Sequence, residues 1–249
     1  MRVFPALILI LLLAMPARAD YAAGKRAYDA GDYPTALAEL RPAAEAGDPR
    51  AQLWLARLYF RGHGTPVDYP AALTWFRKAA TQFRDMETHR QAVYGLGYMV
   101  EDGLGIRANP RNAACLYRVA ADAGLPSAQW ALCSVVPRNS ALFNEAWADL
   151  SLDMCHRAAR QGEPHALNYL AGIFLWNPLT PDEKGYMYYA LAAQRGHAAA
   201  KEKVAEFQAT LKGRKRRQFE AGVEQAKAWQ ATEEPAPTKP VPLDPSCQR

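Results

Sequence analysis

The chain has 249 residues, half of them hydrophobic, and a formal net charge of +5. That length can bury a sizeable core. A charge so mild for the size gives no basis for nucleic-acid binding.

Residues 1–19 read as a cleavable secretory signal. Arg2 supplies a basic start and Phe4 to Ala14 is almost wholly apolar. Ala17-Arg18-Ala19 puts small residues at the two positions a signal peptidase reads. The apolar run is too short for a membrane span. No cysteine follows the cleavage point to carry a lipid. Cleavage before Asp20 removes nineteen of the 249 residues, leaving 230. It also removes two arginines and no acids, lowering the charge from +5 to +3. The expected location is the periplasm, as a soluble protein.

From Asp20 onward the chain repeats. A paired alanine is followed by a glycine four residues after its first member: Ala43-Ala44 with Gly47, Ala120-Ala121 with Gly124, Ala158-Ala159 with Gly162, Ala192-Ala193 with Gly196. The pair Ala79-Ala80 has Phe83 instead of glycine, so a longer loop is expected over Gln82 to Gln91. Another alanine follows each joint: Ala51, Ala92, Ala128, Ala166 and Ala200, at steps of 41, 36, 38 and 34 residues. Such a period belongs to stacked helix pairs. The first helix of a unit follows A-x-x-x-L-G-x-x-Y-x-x-G, seen in Ala51, Leu55, Ala56, Tyr59 and Gly62 and again in Ala92, Leu96, Gly97, Val100 and Gly103. Spacings of four hold these residues on one face. The small residue after leucine lets a neighbouring helix come close. Gly62-His63-Gly64 and Gly103-Leu104-Gly105 mark turns needing glycine's backbone freedom.

Asp32, Asp68 and Asn109 stand eleven residues before an alanine pair and read as N-caps, with Pro34, Pro70 and Pro110 just inside the helix. Thr180-Pro181-Asp182-Glu183 reads as a capping box. Trp75-Phe76, Leu116-Tyr117 and Tyr188-Tyr189, four residues before the alanine pairs, should fill the space between helices. The third copy departs from the pattern: between Val136 and Asp149 the glycine turn and the usual cap are missing. Residues 214–230 suggest one more helix covering the open end. Residues 231–249 hold five prolines and no periodicity, the pattern of a disordered tail.

These motifs resemble the Sel-one-like repeat family, relatives of the tetratricopeptide repeats. The stretch Gly31 to Leu37, then Ala44 to Asp48 and Ala51 to Tyr59, looks like the opening of many bacterial exported members. The resemblance implies an all-α, right-handed superhelix of antiparallel helix pairs. The expected organisation is a signal (1–19), repeats (20–208), a closing helix (209–230) and a tail (231–249).

Chemistry is sparse. No two of His63, His89, His156, His165 and His197 lie at metal-ligand spacing. H-E-x-x-H, G-x-S-x-G and phosphate-binding glycine loops do not occur. An enzyme is not expected, nor a cofactor or metal. Four cysteines allow three full pairings. Cys133 and Cys155 stand on the two helices of one copy, facing each other, and are the expected disulfide. Cys115 competes for Cys133, and Cys247 is free or pairs between chains. The run Lys212 to Arg217 could meet an acidic partner or lipid headgroups. Membrane contact is expected nowhere else.

Stacked helix pairs of this kind offer a concave groove lined by first helices. Trp54, Tyr94, Tyr98, Trp130 and Tyr169 lie on first helices off the packing positions, with Arg57 and Glu101 as polar contacts. Aromatic side chains there make good anchors. About half of them are expected to be buried instead. The resemblance implies a protein partner, held by an adaptor or scaffold. The alternative is an immunity protein that neutralises a toxic effector, and an envelope-acting enzyme is the third reading.

Overall fold

A computed structural model describes residues 20–177, 179 and 182–232 of the chain. The expected signal peptide, Thr180, Pro181 and Cys247 lie outside the described residues, as does the tail from residue 233 onward. Among the described residues are twelve α-helices and no strand. They are α1 (Tyr21–Asp29), α2 (Tyr33–Glu45), α3 (Pro49–Arg61), α4 (Tyr69–Ala80), α5 (Met86–Asp102), α6 (Pro110–Asp122), α7 (Pro126–Arg138), α8 (Glu145–Arg160), α9 (Pro164–Trp176), α10 (Asp182–Gln194), α11 (Ala198–Thr210) and α12 (Gly213–Ala228). Helices α1 to α10 form five antiparallel pairs, each packed on the next. α12 returns to pack on α10 rather than on its neighbour α11. The result is an all-α solenoid.

The joint between units follows from one local motif. Each glycine after an alanine pair sits in the left-handed region, with φ of 95°, 80°, 82° and 90° at Gly47, Gly124, Gly162 and Gly196. The next N–H then reaches back to the first alanine's carbonyl: Asp48 to Ala43, Leu125 to Ala120, Glu163 to Ala158 and His197 to Ala192, all within 3.0–3.1 Å. This closes a Schellman motif on the outgoing helix. In three of the four joints the same residue's side chain caps the incoming helix. Asp48, Glu163 and the His197 Nδ1 accept from the backbone N–H of Ala51, Ala166 and Ala200. The alanine at the start of each first helix is therefore pinned where two helices cross. Ala51, Ala92, Ala128, Ala166 and Ala200 are all 0% exposed.

The expected caps are in place. Asp32, Asp68 and Asn109 accept from the N–H three residues on, at 3.2, 2.9 and 3.0 Å. Gly62, Gly64, Gly103 and Gly105 all have φ between 70° and 73°. Phe76 and Tyr117 are buried between helices, while Trp75, Leu116, Tyr188 and Tyr189 are half-buried.

Two expectations need correction. The loop after Ala79-Ala80 does not run to Gln91. Asp85 caps a helix that begins at Met86, accepting from Thr88 N–H at 3.0 Å. The extra residues wind into an added helical turn on α5. His89, three residues before Ala92 like Asp48 before Ala51, is buried there. Its Nδ1 donates to the Ala80 carbonyl at 2.7 Å, taking up a carbonyl at the end of α4. In the third copy Asn144 does cap α8, accepting from Trp147 N–H at 3.2 Å. It stands fourteen residues before Ala158-Ala159, so α8 is longer than its counterparts and the cap falls out of register.

Buried glutamines, unforeseen in sequence, complete two joints. Gln52 and Gln129 donate to the carbonyls of Ala44 and Ala121 at 3.1 and 3.2 Å. Those carbonyls lie in the last turn of a helix, where no intrahelical donor is left.

The sulfurs of Cys133 (α7) and Cys155 (α8) lie 1.96 Å apart, at bonding distance. Cys115 is buried on α6, beside Arg111, Leu142 and Trp147.

Candidate functional site: an aromatic cleft on the first helices

Among the first helices, α3 touches both α1 and α5. Between them opens a cleft of about 460 Å³ lined by Tyr28 from α1, Trp54, Arg57, Phe60 and Arg61 from α3, and Gln91, Tyr94, Gly95 and Tyr98 from α5, with Phe76 of α4 beneath. Spacing on the helix explains the grouping. Trp54, Arg57 and Arg61 sit at i, i+3 and i+7, and Gln91, Tyr94 and Tyr98 repeat that spacing on α5, so each set forms one stripe. Leu55 and Ala56 take the opposite, buried face of α3.

The cleft is stiffened by its own contacts. Tyr28 meets Trp54 edge-on with ring centroids 4.6 Å apart, and the Arg57 guanidinium lies 4.4 Å from the centroid of the same indole. Arg57 donates from Nη2 to the Gln91 Oε1 at 2.7 Å, across a separation of 34 residues. Arg61 donates to the Tyr28 hydroxyl at 3.2 Å. Phe60 stands edge-on to Tyr98 at 5.8 Å. Gly95 admits the Phe76 ring: a Cβ there would be 2.7 Å from its Cε1. Burial pushes the Arg57 guanidinium below its ordinary value and the Tyr94 hydroxyl above its own. A hydrogen bond to Asp102 raises Tyr98, with burial adding to it.

Of the residues singled out in sequence, Trp54, Arg57, Tyr94 and Tyr98 meet in this cleft. Tyr98 is 41% exposed and the other three are half-buried. Trp130 and Tyr169 lie elsewhere, on α7 and α9, with ring centroids 5.9 Å apart. His165 stacks on Trp130 at 5.7 Å and meets His197 at 4.9 Å, giving a second, smaller aromatic patch. Glu101 belongs to neither. One of its carboxylate oxygens accepts from Tyr117 at 2.7 Å and the other from Arg138 at 2.5 Å, so both already hold helices α5, α6 and α7 together. Sequence reasoning does not find Tyr28, Phe60 and Arg61. Tyr28 lies before the first alanine-glycine joint, and the other two fall between the packing positions and the glycine turn.

The basic run begins in the turn before α12. Arg216 is tied to the Gln208 carbonyl and to Glu220, while Lys212, Arg214, Lys215 and Arg217 are exposed. Among the described residues no helix is long and apolar enough to cross a membrane.

Antiparallel helix pairs joined by alanine-glycine motifs, with an aromatic cleft on the first helices, define a helical-repeat protein of the interaction-scaffold kind. Residues 49–82, 90–125 and 164–197 each match the Sel1 repeat. The chain carries three Sel1 repeats, and Sel1 repeats are typically a non-catalytic protein-interaction fold. A stretch of 98 residues is 36% identical to protein sel-1 homolog 2 of Homo sapiens and 37% identical to that of Mus musculus. That stretch covers 38% of this chain and only 14% of those relatives' length. A Sel1 repeat protein from Oxalobacter formigenes superposes with a TM-score of 0.66 at 21% identity, covering 84% of this chain and 82% of that one. An immunity protein from Pseudomonas aeruginosa superposes with a TM-score of 0.53 at 19% identity, covering 86% and 81%. At these identities the likeness is one of fold.

Proposed function

We propose that this chain is an exported, non-catalytic adaptor that holds another protein in the cleft between α1, α3 and α5. The observation that carries this reading is the convergence of Trp54, Arg57, Tyr94 and Tyr98, with Tyr28 and Phe60, on one open cleft. Aromatic rings and guanidinium groups dominate binding energy at protein interfaces. The expected location is the periplasm, reached through residues 1–19. An oxidising compartment would also let the Cys133–Cys155 bond persist.

The test is affinity capture from envelope extracts, comparing wild type with the Trp54→Ala/Tyr98→Ala pair. A partner captured by wild type and lost by the folded double variant supports the reading. Equal capture by both, or finding the full-length protein only in the cytoplasm with residues 2–19 retained, overturns it. Immunity proteins that share the fold favour a narrower second reading, in which the partner is a toxic effector. Protection of cells from an effector delivered to the periplasm would mark that role, and its absence would leave the adaptor.

A further inference from the structure

The cleft has an electrostatic asymmetry. Its lining holds two arginines and no aspartate or glutamate. The nearby acids already hold partners, two of them in the lining itself: Glu87 bonds to Gln91 and Arg90, Glu101 to Tyr117 and Arg138, and Asp102 to Tyr98. Lys25, at the cleft's edge over Trp54, is paired with Asp29. Arg57 and Arg61 differ. Among the described residues neither forms a salt bridge, and their partners are neutral: Gln91, the Trp54 face and the Tyr28 hydroxyl.

A half-buried guanidinium with neutral partners keeps its charge and lacks its best acceptor. Carboxylates match its forked donors in two parallel bonds. The two arginines are one helical turn apart on α3, so they face the same opening. Around them stand Trp54, Phe60, Tyr94 and Tyr98, which offer apolar area rather than further charge.

Building on the reading of this cleft as the docking site, we propose that its ligand is an acidic segment of a partner protein, with one carboxylate on Arg57 and Arg61 and an apolar side chain beside it against Trp54, Tyr94 and Tyr98. Charge complementarity selects this occupant. A purely apolar segment would leave Arg57 without a counter-ion in a site its arrival dries. A basic segment would be repelled.

The probes are two labelled pools of nine-residue peptides. One has Asp or Glu at the centre flanked by Leu, Ile or Phe; the other carries the matching Asn or Gln. Binding is read by fluorescence anisotropy of the labelled peptides. The acidic pool should bind at least tenfold tighter than the amide pool, weaken on going from 50 to 500 mM NaCl, and lose that preference in Arg57→Gln. Arg61→Gln, at an exposed position with one side-chain partner, gives the same readout should Arg57→Gln fold poorly. Equal binding of the two pools, binding of neither, or retention of the preference in both variants overturns the proposal. So would binding to anionic phosphatidylglycerol vesicles that outcompetes the acidic pool. A partner captured through Trp54 and Tyr98 whose complex survives Arg61→Gln and high salt would leave the adaptor reading standing and remove only the acidic ligand.

Discussion

Gly97 occupies the small-residue position after leucine on α5, where other copies carry Ala56, Cys133 and Ala171. A Cβ built on Gly97 would lie 2.7 Å from both Cδ1 and Cε1 of Tyr117 and 3.4 Å from the Leu116 Cβ. The Tyr117 ring has no room to retreat. It is 1% exposed, its hydroxyl is fixed to Glu101 at 2.7 Å, and Tyr94 stands 5.8 Å away between ring centroids. Gly97→Ala gains about 1 kcal/mol of helix propensity. It loses more to overpacking, roughly 1–3 kcal/mol in general and near the top of that range for a ring pinned at both ends. The net is a loss of about 1–2 kcal/mol, or a fall in Tm of roughly 2–8 °C for a chain of this size. Gly172, on α9, is the control. A Cβ there meets only the Tyr189 hydroxyl, at 3.8 Å. Gly172→Ala should keep its propensity gain of about 0.5–1 kcal/mol and raise Tm. Differential scanning calorimetry on both variants measures the contrast. A Gly97→Ala protein melting at or above wild type would refute the claim that close helix approach, rather than turn formation, demands this glycine.

Two further outcomes follow from the packing. Burial holds the His89 imidazole below its ordinary range, against the opposing pull of its bond to Ala80. A folded pKa below the unfolded value means its stabilising neutral form is fully present above about pH 6.5 and is lost as pH falls from there through the folded value. Wild type should lose more stability between pH 7.5 and 5.5 than His89→Gln, whose amide still donates to Ala80. Asp122 and Glu163, raised mainly by burial, work in the opposite direction, so the difference in slope between the two proteins is the measurement. Parallel slopes would remove His89 from the account. Closing a loop with a sequence separation of 22, the Cys133–Cys155 bond should be worth about 3 kcal/mol. Non-reduced peptide mapping should recover that pair, and reduction should lower the denaturant midpoint. A fragment linking Cys115 to Cys133 would refute the pairing.

The repeat register is legible because its signals act within a few residues. An alanine pair and a glycine four residues on specify a Schellman closure, and Asp32, Asp68 and Asn109 cap helices three residues away. Where the local signal is altered, legibility fails. Without a glycine after Ala79-Ala80 the following turn of α5 looks like loop, and Asn144 falls out of register because α8 is longer. Cys133 and Cys155 can be matched across two helices because both sit on faces fixed by the same period.

The cleft is a different kind of fact. Its stripes are written in the helical period, yet their meeting depends on how α1, α3 and α5 cross. That crossing is set by contacts such as Arg57 to Gln91, 34 residues apart in sequence. Glu101 shows the same limit: its spacing fits a groove position, but Arg138, 37 residues on, claims its carboxylate. The sequence by itself determined most of the helices, the caps at Asp32, Asp68 and Asn109, and the order of stacking, because backbone hydrogen bonds and side-chain periodicity are local. Tertiary structure alone decided which side chains share a surface and which charges go unpaired, because both depend on distances between helices that no single stretch of chain encodes.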